Sequence, residues 1–200
     1  MTVAQAIAFV TFSAVVSGTP GPGNTLLTAA GATVGVRRGL MSLLGQVAGM
    51  AAMLFAVTLG LGSLLLDHPL ALQVLKWGGA ATLCWMAWGI ATAKDAAGTG
   101  NPRLGFLAMA AFQWINPKGW LVAVAAVSTF LDQRAGAAPA QALVFAMVFG
   151  LVALPCCFPW LAFGAGLQHF LRTARGRRVL NVAMAVLLAA SVFVFVGPHA

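Results

Sequence analysis

Glutamate and tyrosine are absent from this chain of 200 residues, and its three acidic side chains are all aspartate: Asp67, Asp95 and Asp132. Charged residues make up 7% of the chain, against roughly 25% in a soluble domain. A globule of this length has more surface than so few charges can cover, so a soluble fold is excluded. The cysteines are few and badly spaced for chemistry. Cys84, Cys156 and Cys157 all lie in apolar tracts, and the adjacent pair lacks the C-x-x-C spacing of a redox or zinc site. They read as small packing residues. His68, His169 and His199 are scattered, so no metal site is expected. There is no Ser-His-Asp set, H-E-x-x-H or Gly-rich phosphate loop, which argues against an enzyme. The first six residues carry no Lys or Arg. The basic n-region of a cleaved signal is therefore missing, and the N-terminus reads as part of the mature protein.

What the chain does have is apolar length. Hydrophobic residues reach 61% and run in long tracts rather than in the alternation of half-buried elements. Crossing roughly 30 Å of hydrocarbon takes about 20 such residues. The tracts cover 3–36, 40–66, 70–93, 104–131, 140–168 and 179–196. The expectation is an all-α integral membrane protein with six transmembrane helices, a single membrane domain over 1–200. Trp77 and Trp88 fall near the two ends of the third tract, where headgroup-level anchors belong.

The net charge of +8 does not imply nucleic acid, because the basic residues sit between the tracts. Arg37, Arg38, Lys94, Arg103, Arg172, Arg175, Arg177 and Arg178 follow the odd-numbered tracts, against Arg134 and Lys76 for the opposite side. By the positive-inside rule the first group is cytoplasmic. Both termini then lie outside, periplasmic in a cell with two membranes, and the protein is a multi-pass component of the cell (inner) membrane.

Two tracts are interrupted. The first, too long for one crossing, is broken by Pro20-Gly21-Pro22-Gly23-Asn24, and the fourth by Asn116-Pro117-Lys118-Gly119. Three spans per half put the halves in opposite orientations, so these are corresponding breaks in broken helices 1 and 4. That is the pointer to two inverted three-helix repeats, 1–100 and 101–200, with a binding site at their interface. The unpaired backbone at such breaks is tolerable only against protein or a water-filled cavity.

Lys118 stands near mid-membrane, where insertion costs roughly 2.5–3.5 kcal/mol. It must face a cavity or a partner, as the receiver of a carboxylate or as a group that releases a proton in a transport cycle. No carboxylate lies within a tract, so the common Asp/Glu proton relay is missing. Asn24, Asn116 and Gln113 offer amide groups beside the breaks, with Gln46 a further polar group in the second tract. Gln113 stands three residues before Asn116, on the same helical side. Helix restarts after the breaks would aim their N-terminal dipoles inward, favouring an anionic group. A zwitterion fits this set, and the expected substrate-binding residues are Pro20, Gly21, Pro22, Asn24, Gln113, Asn116, Pro117 and Lys118. Gly45 and Gly49 have the small-xxx-small spacing for close helix packing, between two chains or within one. A chain this short for a transporter makes a homodimer an expectation.

The run Thr19-Pro20-Gly21-Pro22-Gly23-Asn24-Thr25-Leu26-Leu27, followed by Gly35-Val36-Arg37-Arg38-Gly39 and Gly45-Gln46-Val47-Ala48-Gly49, resembles the LysE/RhtB family of amino-acid exporters. So does Gln113-Trp114-Ile115-Asn116-Pro117-Lys118-Gly119-Trp120, whose wording is most similar to the cysteine and O-acetylserine exporter branch. The resemblance covers essentially the whole chain. It implies efflux of amino acids or close derivatives, driven by the proton motive force, with no organic cofactor. Members often carry Asp or Asn directly after Pro-Gly-Pro, where this chain has Gly23 with Asn24 next. The rival readings are a passive small-solute channel lined by the same breaks and a divalent-metal exporter of similar build.

Overall fold

Proline disfavours helical backbone in the residue before it, and Pro-Gly-Pro applies this rule twice in three positions. The computed structural model describes residues 2–62, 67–92, 104–131, 138–170 and 173–196. In it α1 (Val3–Gly18) stops at Thr19, extended at φ −70 and ψ 145, and α2 (Pro22–Ala56) starts after Gly21, also extended. Thr2 and Gln5 close a reciprocal capping box at the start of α1. Asn116, before Pro117, is extended at φ −83 and ψ 109. That one residue separates α4 (Phe106–Ile115) from α5 (Pro117–Phe130). Pro22 and Pro117 each open the helix that restarts, where a missing N–H costs nothing.

Between the breaks, a five-residue π-helical turn (Val57–Leu61) ends α2, and α3 spans Pro69–Ala91. After α5 come α6 (Ala138–Phe170), which stays helical through Pro155 and Pro159, and α7 (Ala174–Val196).

The 35 residues of α2 would be about 52 Å long if straight, yet Asn24 and Gln46 meet in a 3.2 Å hydrogen bond. The chain folds back at Gly35, whose φ 76 and ψ 178 fall in a region open essentially to glycine alone. Asn24 lies eleven residues before Gly35 and Gln46 eleven after it. Each is therefore about 16 Å from the turn along its arm. This corrects one reading of the sequence. Arg37 and Arg38 do not form a loop; they belong to the helical turn that restarts just after Gly35. Gly35→Ala should lower stability by about 1–3 kcal/mol. At about 2–4 °C per kcal/mol for a chain of this size, thermal unfolding in detergent will resolve it.

The two arms of α2 lie against α6 and α4, α3 packs on α7, and α1 runs along α6. Backbones approach closely at glycines. A Cβ at Gly31 would overlap the Leu161 carbonyl, and one at Gly164 the Thr28 carbonyl. Gly45 and Gly49 press on the backbone of Phe106 and Ala110 in α4 of the same chain. At one end Phe9 holds α1 to Phe130 and Phe145, ring centres 5.2 and 4.9 Å away.

Large apolar side chains cover the outside as well as the core. Leu107, Trp77, Trp88, Leu121 and Leu151 are exposed, while Asn24, Gln46, Gln113 and Asn116 are buried. An apolar exterior of this extent marks a surface built for contact with hydrocarbon or protein. Among the described residues, Pro22–Leu61, which the reversal at Gly35 divides into two arms, and Ala138–Leu167 are apolar enough for membrane crossing, with mean hydropathies of 1.9 and 2.3. The breaks leave α1, α4 and α5 each shorter than a full crossing. Lys94, Asp95, Arg103, Asp132, Arg134 and Arg172 lie outside the described residues.

Candidate functional site

Unwinding residues 19–21 strands the carbonyls at the end of α1, and side chains from three other segments take them up. Val15 O and Val16 O return to the N–H and Oγ1 of Thr19, both at 3.0 Å. Ser17 O accepts from Asn24 Nδ2 at 2.8 Å and from Cys157 Sγ at 3.5 Å. Gly18 O accepts from Trp160 Nε1 at 3.2 Å. Thr19 O accepts from Asn24 Nδ2 at 2.9 Å and from Lys118 Nζ at 3.2 Å. Pro20 O takes a further Lys118 bond at 3.3 Å, and Thr19 Oγ1 another at 3.0 Å. Gly21 O is held by Thr25 N at 2.9 Å. Every carbonyl of the first break thus has a partner within the protein.

The second break is held more locally. Asn116 caps α5 by accepting from Lys118 N at 3.2 Å, the usual task of Asn at this position. Its Nδ2 donates to Gln113 Oε1 at 3.2 Å. Trp120 Nε1 donates to Trp114 O at 2.8 Å. The side chain of Lys118 crosses from the second break onto the first and ties the two interruptions together.

Between them lies a cavity of about 60 Å³. A water needs about 10–15 Å³ by this measure, so the space takes about four to six water-sized groups. Ser17, Gly21, Gly23 and Asn24 line it from the first break, and Gln113, Asn116, Lys118 and Gly119 from the second. Gln46 and Met50 of α2 and Phe149, Ala153 and Cys157 of α6 close the sides. Of the residues singled out in the sequence, Gly21, Asn24, Gln113, Asn116 and Lys118 come together here. Pro20 reaches the cluster through its carbonyl, while Pro22 and Pro117 set the helix starts and do not line the cavity. Gly45 and Gly49 lie on the α4 contact instead. Ser17 and Cys157 were not legible as lining residues, since a lone small side chain in an apolar tract carries no pattern.

The profile of the LysE type translocator family matches residues 14–197, a stretch that holds both breaks and every lining residue. The chain belongs to the LysE type translocator family. The translocator is therefore a membrane protein of a transport family. It is 32% identical to a cysteine/O-acetylserine efflux protein of Salmonella typhimurium, over 90% of this chain and 92% of that one. It is 31% identical to one from Escherichia coli with the same coverage. A Klebsiella pneumoniae protein of the same description is 38% identical, over 62% of this chain and 64% of the relative. No solved structure matches the translocator.

Asn24 lines the cavity and spends its amide within the protein. Both Nδ2 hydrogens go to carbonyls of the break and Oδ1 accepts from Gln46 Nε2, so Asn24 holds the first break in shape. Gln46 Nε2 also reaches Cys157 Sγ at 3.6 Å. Gly23 makes this possible, because a Cβ there would come within 2.8 Å of Gln46 Oε1.

Proposed function

We propose that the translocator exports small amino acids or close derivatives from the cytoplasm, with cysteine and O-acetylserine the first candidates. The observation that carries this reading is the Lys118 ammonium. It reaches from one break to the other at the wall of a small cavity that is mainly apolar with a few polar groups. The names of the relatives supply the substrate class.

Lys118 is the cation for the substrate carboxylate. Its present partners are neutral oxygens, and a carboxylate makes a shorter and stronger bond to an ammonium. α2 opens at this cavity without a side-chain cap, so its first N–H groups add donors and a favourable dipole for the same anion. Because Lys118 holds the two breaks together, a carboxylate that draws it away also loosens the tie between the halves. Substrate binding and opening are thereby linked, as alternating access requires. Asn116 and Gln113 hold the second break in register and present amides to the substrate.

In this reading α1 and the first arm of α2 form one broken span, and α4 and α5 the other. The second arm of α2, α3, α6 and α7 complete six spans in two inverted repeats, 1–100 and 101–200. Both termini lie outside the inner membrane, a reading that the distribution of basic residues supports. Export is driven by the proton motive force, and a homodimer is the working assembly.

The test is efflux of a labelled amino-acid panel from loaded cells that express the translocator. Saturable, uncoupler-sensitive loss of cysteine or O-acetylserine is the expected result. Loss that is linear in concentration and indifferent to uncoupler would make the protein a channel. An unchanged panel with protein in the membrane would overturn the amino-acid reading.

A further inference from the structure

Two residues of the cavity wall each carry a buried side-chain atom that has no partner. Ser17 and Gln46 are each 8% exposed and both line the cavity. Among the described residues, Ser17 Oγ and Gln46 Oε1 are buried without a hydrogen bond. Native interiors leave few such atoms, and each calls for an explanation. A reversed amide does not supply one. Asn24 Nδ2 is committed to two carbonyls, at 2.8 and 2.9 Å, so its Oδ1 faces Gln46 and requires a donor there. That places Gln46 Nε2 toward Asn24 and Oε1 on the other side, against Gly23. Serine also has a local alternative that is not taken. Ser13, one turn earlier, donates to Phe9 O at 2.7 Å, whereas the Ser17 hydroxyl stays unspent.

We infer that Ser17 Oγ and Gln46 Oε1 form the subsite for the α-ammonium group of the transported amino acid. The inference deepens the exporter reading of the same cavity and rests on it. The chemistry fixes the sign of the ligand. An amide oxygen only accepts, and a hydroxyl can accept as well, while an ammonium brings three donors and no acceptor. A carboxylate at Gln46 Oε1 would set oxygen against oxygen. The cation on the cavity is a different side chain, set against a different glycine. Lys118 Nζ would lie 2.9 Å from a Cβ at Gly21, and Gln46 Oε1 2.8 Å from one at Gly23. An ammonium and a pair of acceptor oxygens on one cavity favour opposite ends of a zwitterion, which gives an α-amino acid a preferred orientation there. A ligand without the amine leaves both oxygens buried and unpaired, which is how a polar subsite rejects a near-isostere.

Ser17→Ala is the decisive variant, because it deletes an oxygen that bonds nothing in the protein. A purely structural role predicts unchanged or slightly raised thermal stability and unaltered transport. The full-length protein in proteoliposomes would be assayed with labelled O-acetylserine, with cysteine and 3-mercaptopropionate as competitors. The latter is cysteine without its ammonium. The subsite predicts that Ser17→Ala weakens competition by cysteine about tenfold, the scale of one hydrogen bond to a charged group. The weaker competition by 3-mercaptopropionate stays unchanged. Equal effects on both competitors, or no effect on cysteine, would overturn the subsite while the exporter stands. Absence of transport by the unaltered protein would overturn the exporter reading itself and the subsite with it.

Discussion

Lys118→Met will remove transport while leaving a folded protein in the membrane. The expected loss is roughly 100-fold or more, the scale of deleting one partner of a desolvated charge contact. Folding should survive because the atoms left behind are not trapped. Thr19 and Pro20 are exposed, so the oxygens that lose the ammonium are not enclosed in the packed core. Methionine also spares the cost of placing a charge at depth. The two readouts are efflux of labelled substrate and the amount and thermal midpoint of protein in the membrane. Retained efflux at normal protein levels would strike Lys118 from the mechanism. Loss of the protein from the membrane would make the lysine a structural tie between the two breaks.

Asn24→Asp will do the opposite and cost the fold. The change is nearly isosteric, but it replaces two donor hydrogens with an oxygen that faces Ser17 O and Thr19 O. A buried charge then meets two carbonyls and offers neither a hydrogen bond. The expected destabilisation is about 3 kcal/mol or more, or a drop of about 6–12 °C in the unfolding midpoint. If Asn24 served the substrate instead, the variant would keep its midpoint and change only its transport kinetics. Comparing the unfolding curves of the two proteins in detergent separates these cases.

The site was half legible in the sequence, for a physical reason. Proline announces its effect locally, so Pro20-Gly21-Pro22 and Asn116-Pro117 marked both breaks from adjacent residues alone. A lysine deep in an apolar tract announces itself by its cost, and Lys118 does sit at the cavity. Pairings across the reversal announce nothing. Gln46 looked like an isolated amide because its partner Asn24 is 22 positions away. Their meeting depends on the backbone of Gly35, which the sequence showed as part of a motif but not as a reversal. Cys157 was read as packing, and it does pack, but it also donates to Ser17 O from 140 positions away. The sequence showed Asn24 as an amide beside a break, but not the demand of the stranded carbonyls that it meets. That demand becomes visible only when each one is counted.

The reversal at Gly35 also makes α2 a ruler. With no loop between the arms to take up slack, any residue in one arm is held level with the residue the same number of steps away in the other. Removing a single residue from either arm would shift everything beyond it by about 1.5 Å and rotate it by about 100°. Asn24 and Gln46 would then lose each other. The interval between them should therefore tolerate changes of residue type far better than changes of length, and insertions or deletions between positions 24 and 46 should be nearly absent among functional variants.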